Sequence, residues 1–76
     1  KMVVENIWVL ECPDSGHWSE EDAEEEIARL AEMWDVKVTP TGVTRDMGFG
    51  QERLYIVEGE EDNIKEFDEG LEEALY

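Results

Sequence analysis

Basic residues are scarce in this chain: six Lys and Arg stand against 22 Asp and Glu over 76 residues, a formal net charge of −16. A field of that sign repels phosphate backbones and anionic lipid, so direct binding to nucleic acid or to a membrane surface is not expected, whereas basic surfaces are attracted. Cysteine occurs once, at Cys12, so no internal disulfide staples the fold and a reducing, cytoplasmic setting is the expectation. No apolar run comes near the roughly 18 residues of a membrane span, and no signal-peptide pattern is present. Histidine also occurs once, at His17, which leaves few soft ligands for a metal. Lys1 ahead of Met2 reads as a residue appended before a natural start.

What is present is an ordinary apolar complement. Hydrophobic residues make up 41% of the chain, with three Trp, two Tyr and two Phe, which argues for a folded domain despite the charge. Residues 1–76 form one domain of a size at which a single core barely outweighs chain entropy. Little apolar surface is left to line a deep pocket, so a protein that acts through its surface is expected rather than an enzyme.

Val3 to Cys12 is rich in β-branched and aromatic residues and apolar on both alternating faces, the pattern of a central strand. Pro13-Asp-Ser-Gly16 stops it. Ser19 and Asp22 have capping-box spacing, and Ala23, Ile27, Leu30, Ala31 and Trp34 recur at helical period, which predicts a helix over 20–34. Val36 to Arg45 reads as an edge strand, because Pro40 cannot donate to a ladder and Gly42 invites a bulge. The loop Asp46-Met-Gly-Phe-Gly50 leads into a third strand over Glu52 to Val57, and Gly59 to Asp62 ends this hairpin. Ile64, Phe67, Leu71, Ala74 and Leu75 then mark a second amphipathic helix, which Gly70 weakens by roughly 1 kcal/mol relative to Ala.

The predicted class is therefore α+β in the order β-α-β-β-α, two helices on one face of a three-stranded, mostly antiparallel sheet. That order resembles a ferredoxin-like βαββαβ unit without its last strand, a likeness of topology that carries no function. Placing Ile7, Val9, Leu54 and Ile56 beneath the helices turns Trp8, Leu10, Tyr55 and Val57 outward, and period two also leaves the opposite register open. An apolar face left open in this way suits a homodimer.

Cys12 and His17 lie five residues apart but lack the further ligands of a zinc site and the electropositive setting of a reactive thiol. They read as a strand end and a helix entrance, with Trp18 packing as a staple. No Asp-x-Asp-x-Asp-Gly loop is present for calcium, and no metal or cofactor is expected. Met47-Gly-Phe-Gly50 lacks the lysine and following helix of a phosphate loop, yet Met47 and Phe49 at a hairpin tip suit a partner's apolar pocket.

The helices carry the charge. At about 100° per residue, Glu21, Glu25 and Glu32 fall opposite the buried stripe of the first helix, and Glu66, Glu69 and Glu73 opposite that of the second. Glu66, Glu69 and Glu73 repel one another at three- and four-residue spacing, a local conflict that points to a use. The expectation is a small acidic inhibitor that engages a basic, nucleic-acid-binding protein through these six carboxylates, with Trp18, Met47 and Phe49 as apolar anchors. In kind it is similar to phage-encoded DNA mimics that inhibit restriction or CRISPR enzymes, which places it in a host cytoplasm. The alternative is a homodimeric regulatory or ligand-binding module that uses Trp8, Leu10, Tyr55 and Val57. Adaptation to high salt fits less well, since Glu outnumbers Asp.

Overall fold

Period-two apolar runs pair as strands and the two 3.6-period stripes cover them, and the computed structural model, which describes Lys1–Tyr76, shows this arrangement. Strand β1 (Met2–Pro13) leads to helix α1 (Glu20–Met33), then to β2 (Lys37–Asp46), β3 (Gly50–Glu60) and helix α2 (Glu61–Leu75). The sheet order is β1-β3-β2, antiparallel throughout. This is the predicted α+β, ferredoxin-like arrangement of a three-stranded sheet with two helices on one face. No helix is long and apolar enough to cross a membrane.

The central position goes to β3, so β1, which has the pattern of a central strand, lies at an edge. The three-stranded sheet puts a neighbour on one side of β1 only. The hairpin β2–β3 has the expected irregularity: its register shifts between Pro40 and Thr44, with Gly42 at φ 82°. Strand β3 runs on to Glu60, past the expected turn, and α2 starts at the next residue. Gly59 allows this because a Cβ there would stand 2.9 Å from Val36 Cγ1, where the chain enters β2.

Register decides the two faces. Residues directly opposite in an antiparallel pair share a face, and Ile7 is opposite Tyr55, not Leu54. The core is accordingly Ile7, Val9, Tyr55 and Val57 beneath Ile27, Leu30, Ile64, Phe67 and Leu71. Tyr55 and Val57, expected outward, are interior, while Leu54 opposite Trp8 and Ile56 opposite Asn6 are half-buried on the other face. Glu52 to Val57 is apolar on both alternating faces around Leu54 to Val57, so periodicity there does not select a side.

Ser19 caps α1 as its spacing requires. The Asp22 amide donates to Ser19 Oγ at 3.2 Å, and the Ser19 amide donates to Asp22 Oδ2 at 3.1 Å. At the other end Asp35 adopts φ 52°, and the Val36 amide donates to the Ala31 carbonyl at 3.0 Å. That left-handed position suits glycine better than aspartate. Gly70 also has a structural reason: a Cβ there would lie 3.0 Å from Leu30 Cδ2, where the helices meet.

Asp35→Gly is expected to raise stability by about 1 kcal/mol by relieving the left-handed strain. Gly50→Ala should lower it by about 3 kcal/mol, because the new Cβ would stand 2.7 Å from the Cys12 carbonyl oxygen and from Pro13 Cα. Urea midpoints of the two variants, moving in opposite directions from the parent, check both.

Candidate functional site

Helical periodicity puts the expected carboxylates where solvent reaches them: Glu21, Glu25 and Glu32 on α1 and Glu66, Glu69 and Glu73 on α2 are all exposed. None of the six forms an ion pair. Four of the six cationic side chains are engaged elsewhere, and Lys65 on α2 is in no ion pair. Arg29 pairs with Glu26 on its own helix, Lys37 with Glu58 at 4.0 Å, and Arg45 with Glu52 at 2.6 Å. Arg53 binds Glu20, with Glu24 at 3.8 Å and Glu11 at 3.9 Å.

A groove of about 370 Å³ runs between the helices. Glu66, Glu69 and Glu73 line its α2 side, Glu26 and Arg29 its α1 side, and Leu30, Met33 and Trp34 give it apolar surface. Met33 is 57% exposed. The α2 ridge thus borders a channel that contains apolar side chains, which helical spacing alone did not reveal, while Glu21, Glu25 and Glu32 of α1 lie outside it. Neither helix has a basic residue in its last turn, so Glu32, Glu72 and Glu73 stand at the negative ends of the helix dipoles, each at a cost of about 0.3–1 kcal/mol.

The anchors divide. Met47 and Phe49 are exposed on a hairpin tip whose backbone is held, since the Asp14 amide donates to the Phe49 carbonyl at 2.9 Å and the Met47 amide to the Gly50 carbonyl at 2.8 Å. Trp18 instead packs against the core and is half-buried. On the open sheet face Leu10 is buried and the guanidinium of Arg45 sits 4.1 Å from the centre of the Trp8 ring. With Tyr55 and Val57 inside, only Trp8 of the four residues expected on that face offers partly exposed apolar surface.

Cys12 and His17 do not meet. The Cys12 thiol has Glu20 Oε2 4.0 Å away, and burial, then the Glu20 charge, push its pKa up, which keeps it protonated. His17 is exposed, and no cluster of three or more metal-ligating side chains exists.

The side chain that sequence patterns missed is Glu11. It is fully buried at the end of an apolar strand, accepts a hydrogen bond from the Tyr55 hydroxyl, and leaves Oε1 without a donor. Burial raises its pKa, opposed by the Tyr55 hydrogen bond and by Arg53. The same pairing and burial hold Tyr55 protonated. The only signal in the sequence was a lone acid in an apolar run. Glu11, Arg53, Glu20 and Glu24 join the end of β1, the middle of β3 and the start of α1, and the cluster has the character of a structural clasp.

Comparison with protein families, with characterised proteins and with solved structures finds no match to this chain.

The buried carboxyl sets a pH dependence. Between the ordinary value of 4.5 and the raised one, the native state binds more protons than the unfolded chain, so stability rises as pH falls through that window. Half-buried Asp68 acts in the same direction, its pKa raised by burial and then by Glu72. The urea midpoint is expected to be higher near pH 5 than near pH 7.5. Glu11→Gln should reduce that difference by stabilising the protein at the higher pH.

Proposed function

We propose that this chain is a small acidic binding protein that occupies the basic surface of a nucleic-acid-binding protein and inhibits it by standing in for the phosphate backbone. The observation that carries this reading is the uncompensated charge of the helix layer: six exposed carboxylates on two adjacent helices, none with a cation partner. Two ridges of negative charge on a rigid support steer a basic partner and set its orientation. The apolar side chains of the groove beside the α2 ridge, together with Met47 and Phe49 at the hairpin tip, supply contact that slows dissociation.

Inhibition of restriction or CRISPR nucleases is the kind of activity this chemistry suits, with a host cytoplasm as the setting for a viral protein. No step of covalent chemistry enters the proposal. For the homodimeric regulatory module, Tyr55 and Val57 are lost as contacts because they are in the core, and Trp8, on which Arg45 stacks, shares the open face with Leu54 and Ile56.

Immobilised protein incubated with host lysate is expected to capture a basic nucleic-acid-binding protein, identified by mass spectrometry, that excess duplex DNA releases. Reversing Glu21, Glu25, Glu66 and Glu69 to Lys should weaken capture by about 100-fold or more, a loss of about 3 kcal/mol. Raising salt from 50 to 200 mM should weaken it as well. A partner still bound under excess DNA and indifferent to the charge reversals would defeat the proposal.

A further inference from the structure

The two edges of the sheet are treated differently. Edge strands present unpaired amides and carbonyls, and a protein that keeps them to itself blunts them with proline, bulges and charge. Strand β2 has all three: Pro40, the irregularity at Gly42, and Lys37 and Arg45 near its ends. Between Met2 and Asn6 the outer edge of β1 has neither proline nor bulge, its one charge is Glu5, and Val4 is 63% exposed.

The direction of the free groups follows from the ladder. Lys1 turns its carbonyl to the β3 side, where the amide of Glu61, the first residue of α2, donates to it at 2.9 Å. By the two-residue period the even-numbered residues face outward. The Tyr76 hydroxyl accordingly lies 3.5 Å from the Trp8 carbonyl oxygen and engages the Leu10 backbone. Tyr76 thereby occupies the edge at Trp8 and Leu10, and the outward groups of Met2, Val4 and Asn6 have no neighbouring strand.

Charge says what fits there. Glu5 alternates with Val4 and so projects to the helix side, where α2 packs on β1 and carries Asp68 and Glu72 one turn apart. None of the three is in an ion pair. Their charges are close enough for Glu72 and Glu5 to raise the pKa of Asp68, after burial itself. A second copy pairing β1 with β1 would bring two such clusters together, which opposes self-association.

We infer that the Met2–Asn6 edge of β1 takes up an extended segment of a basic partner, in which Lys or Arg alternates with apolar residues. The basic side chains point to Glu5, Asp68 and Glu72, and the apolar ones lie beside Val4 on the open sheet face. Backbone hydrogen bonds to Val4 and Asn6 give this segment its grip, and alternate side chains give its selectivity. This rests on the reading that the partner is basic, and it names a site separate from the helix ridges.

The test uses the intact protein and a blocked peptide of about six residues alternating lysine and valine. Amide exchange followed by NMR should show the Val4 and Asn6 amides protected on adding it. A peptide alternating glutamate and valine should bind at least about tenfold more weakly. Val4→Pro, which removes an outward amide and no ladder bond, should weaken the lysine peptide by about tenfold. Asp68→Asn with Glu72→Gln should weaken it while leaving the Val4 and Asn6 protection pattern in place at saturation.

Binding of the lysine peptide only along α1 and α2, with Val4 and Asn6 still exchanging freely, would overturn the inference and leave the proposed function standing. Protection of those amides without peptide, in a protein of dimer mass, would assign the edge to a second copy and overturn it too. Edge binding of the peptide in a protein that shows no DNA-competed partner would sink the proposed function and keep the edge.

Discussion

The antiparallel pairing of β1 with β3 is the constraint on which the rest of the molecule depends. It places Ile7 opposite Tyr55 and Val9 opposite Arg53, and so decides which side chains lie beneath the helices. It brings the Tyr55 hydroxyl to the carboxylate of Glu11 and sets Arg53 beside it. Helix α2 packs on these two strands, and α1 packs on β1 and on α2. A slip of one residue would exchange Tyr55 and Val57 for Leu54 and Ile56, leave Glu11 buried without its hydroxyl, and remove Arg53 from the start of α1. The burial of a charged clasp thus makes one register specific where apolar content alone would accept two.

Charge is distributed between two uses. Cations are few, and they sit where they secure structure: Arg53 ties β3 to the first turn of α1, and Arg45 bridges Glu52 while stacking on Trp8. The six ridge carboxylates, Glu21, Glu25, Glu32, Glu66, Glu69 and Glu73, receive none. Their mutual repulsion opposes a core of 12 buried side chains with no disulfide behind it. Acids at the C-terminal turns of both helices add to that opposition. A fold that holds charge in this costly arrangement presents a strong, oriented field, and that field is what supports the proposed engagement of a basic protein.

Much of this was legible in the residues. Ser19 and Asp22 announced the start of α1, the spacing from Ala23 to Leu30 its buried stripe, and Pro40 with Gly42 the irregular edge strand. These signals are local, because capping and helical period are settled within a few residues. The face chosen by β3 was not legible, since Leu54 to Val57 is apolar throughout and only the partner strand breaks the tie. The position of β1 misled for a related reason: apolar character on both faces marks a strand with cover above and below, and says nothing about neighbours at its sides. The clasp at Glu11 required residues 44 apart in the chain to meet, which no spacing rule describes. Trp18 had the composition of an anchor, and only packing shows its ring turned to the core.

Helix α2 connects the two surfaces that a basic partner could use. One flank carries Glu66, Glu69 and Glu73 toward the groove shared with α1, and another carries Asp68 and Glu72, with Asp68 within reach of the Glu5 charge on β1. The carboxylates act over roughly a Debye length, about 8 Å at physiological salt, and draw a partner from solution without fixing its register. Backbone groups at an edge act only at contact, but their spacing along the strand accepts one alignment at a time. On the proposed reading the helix layer governs how fast a basic protein arrives, and the edge, where an extended segment is present, governs how it is held. The two effects separate by salt, because screening weakens the first far more than it weakens hydrogen bonds between strands.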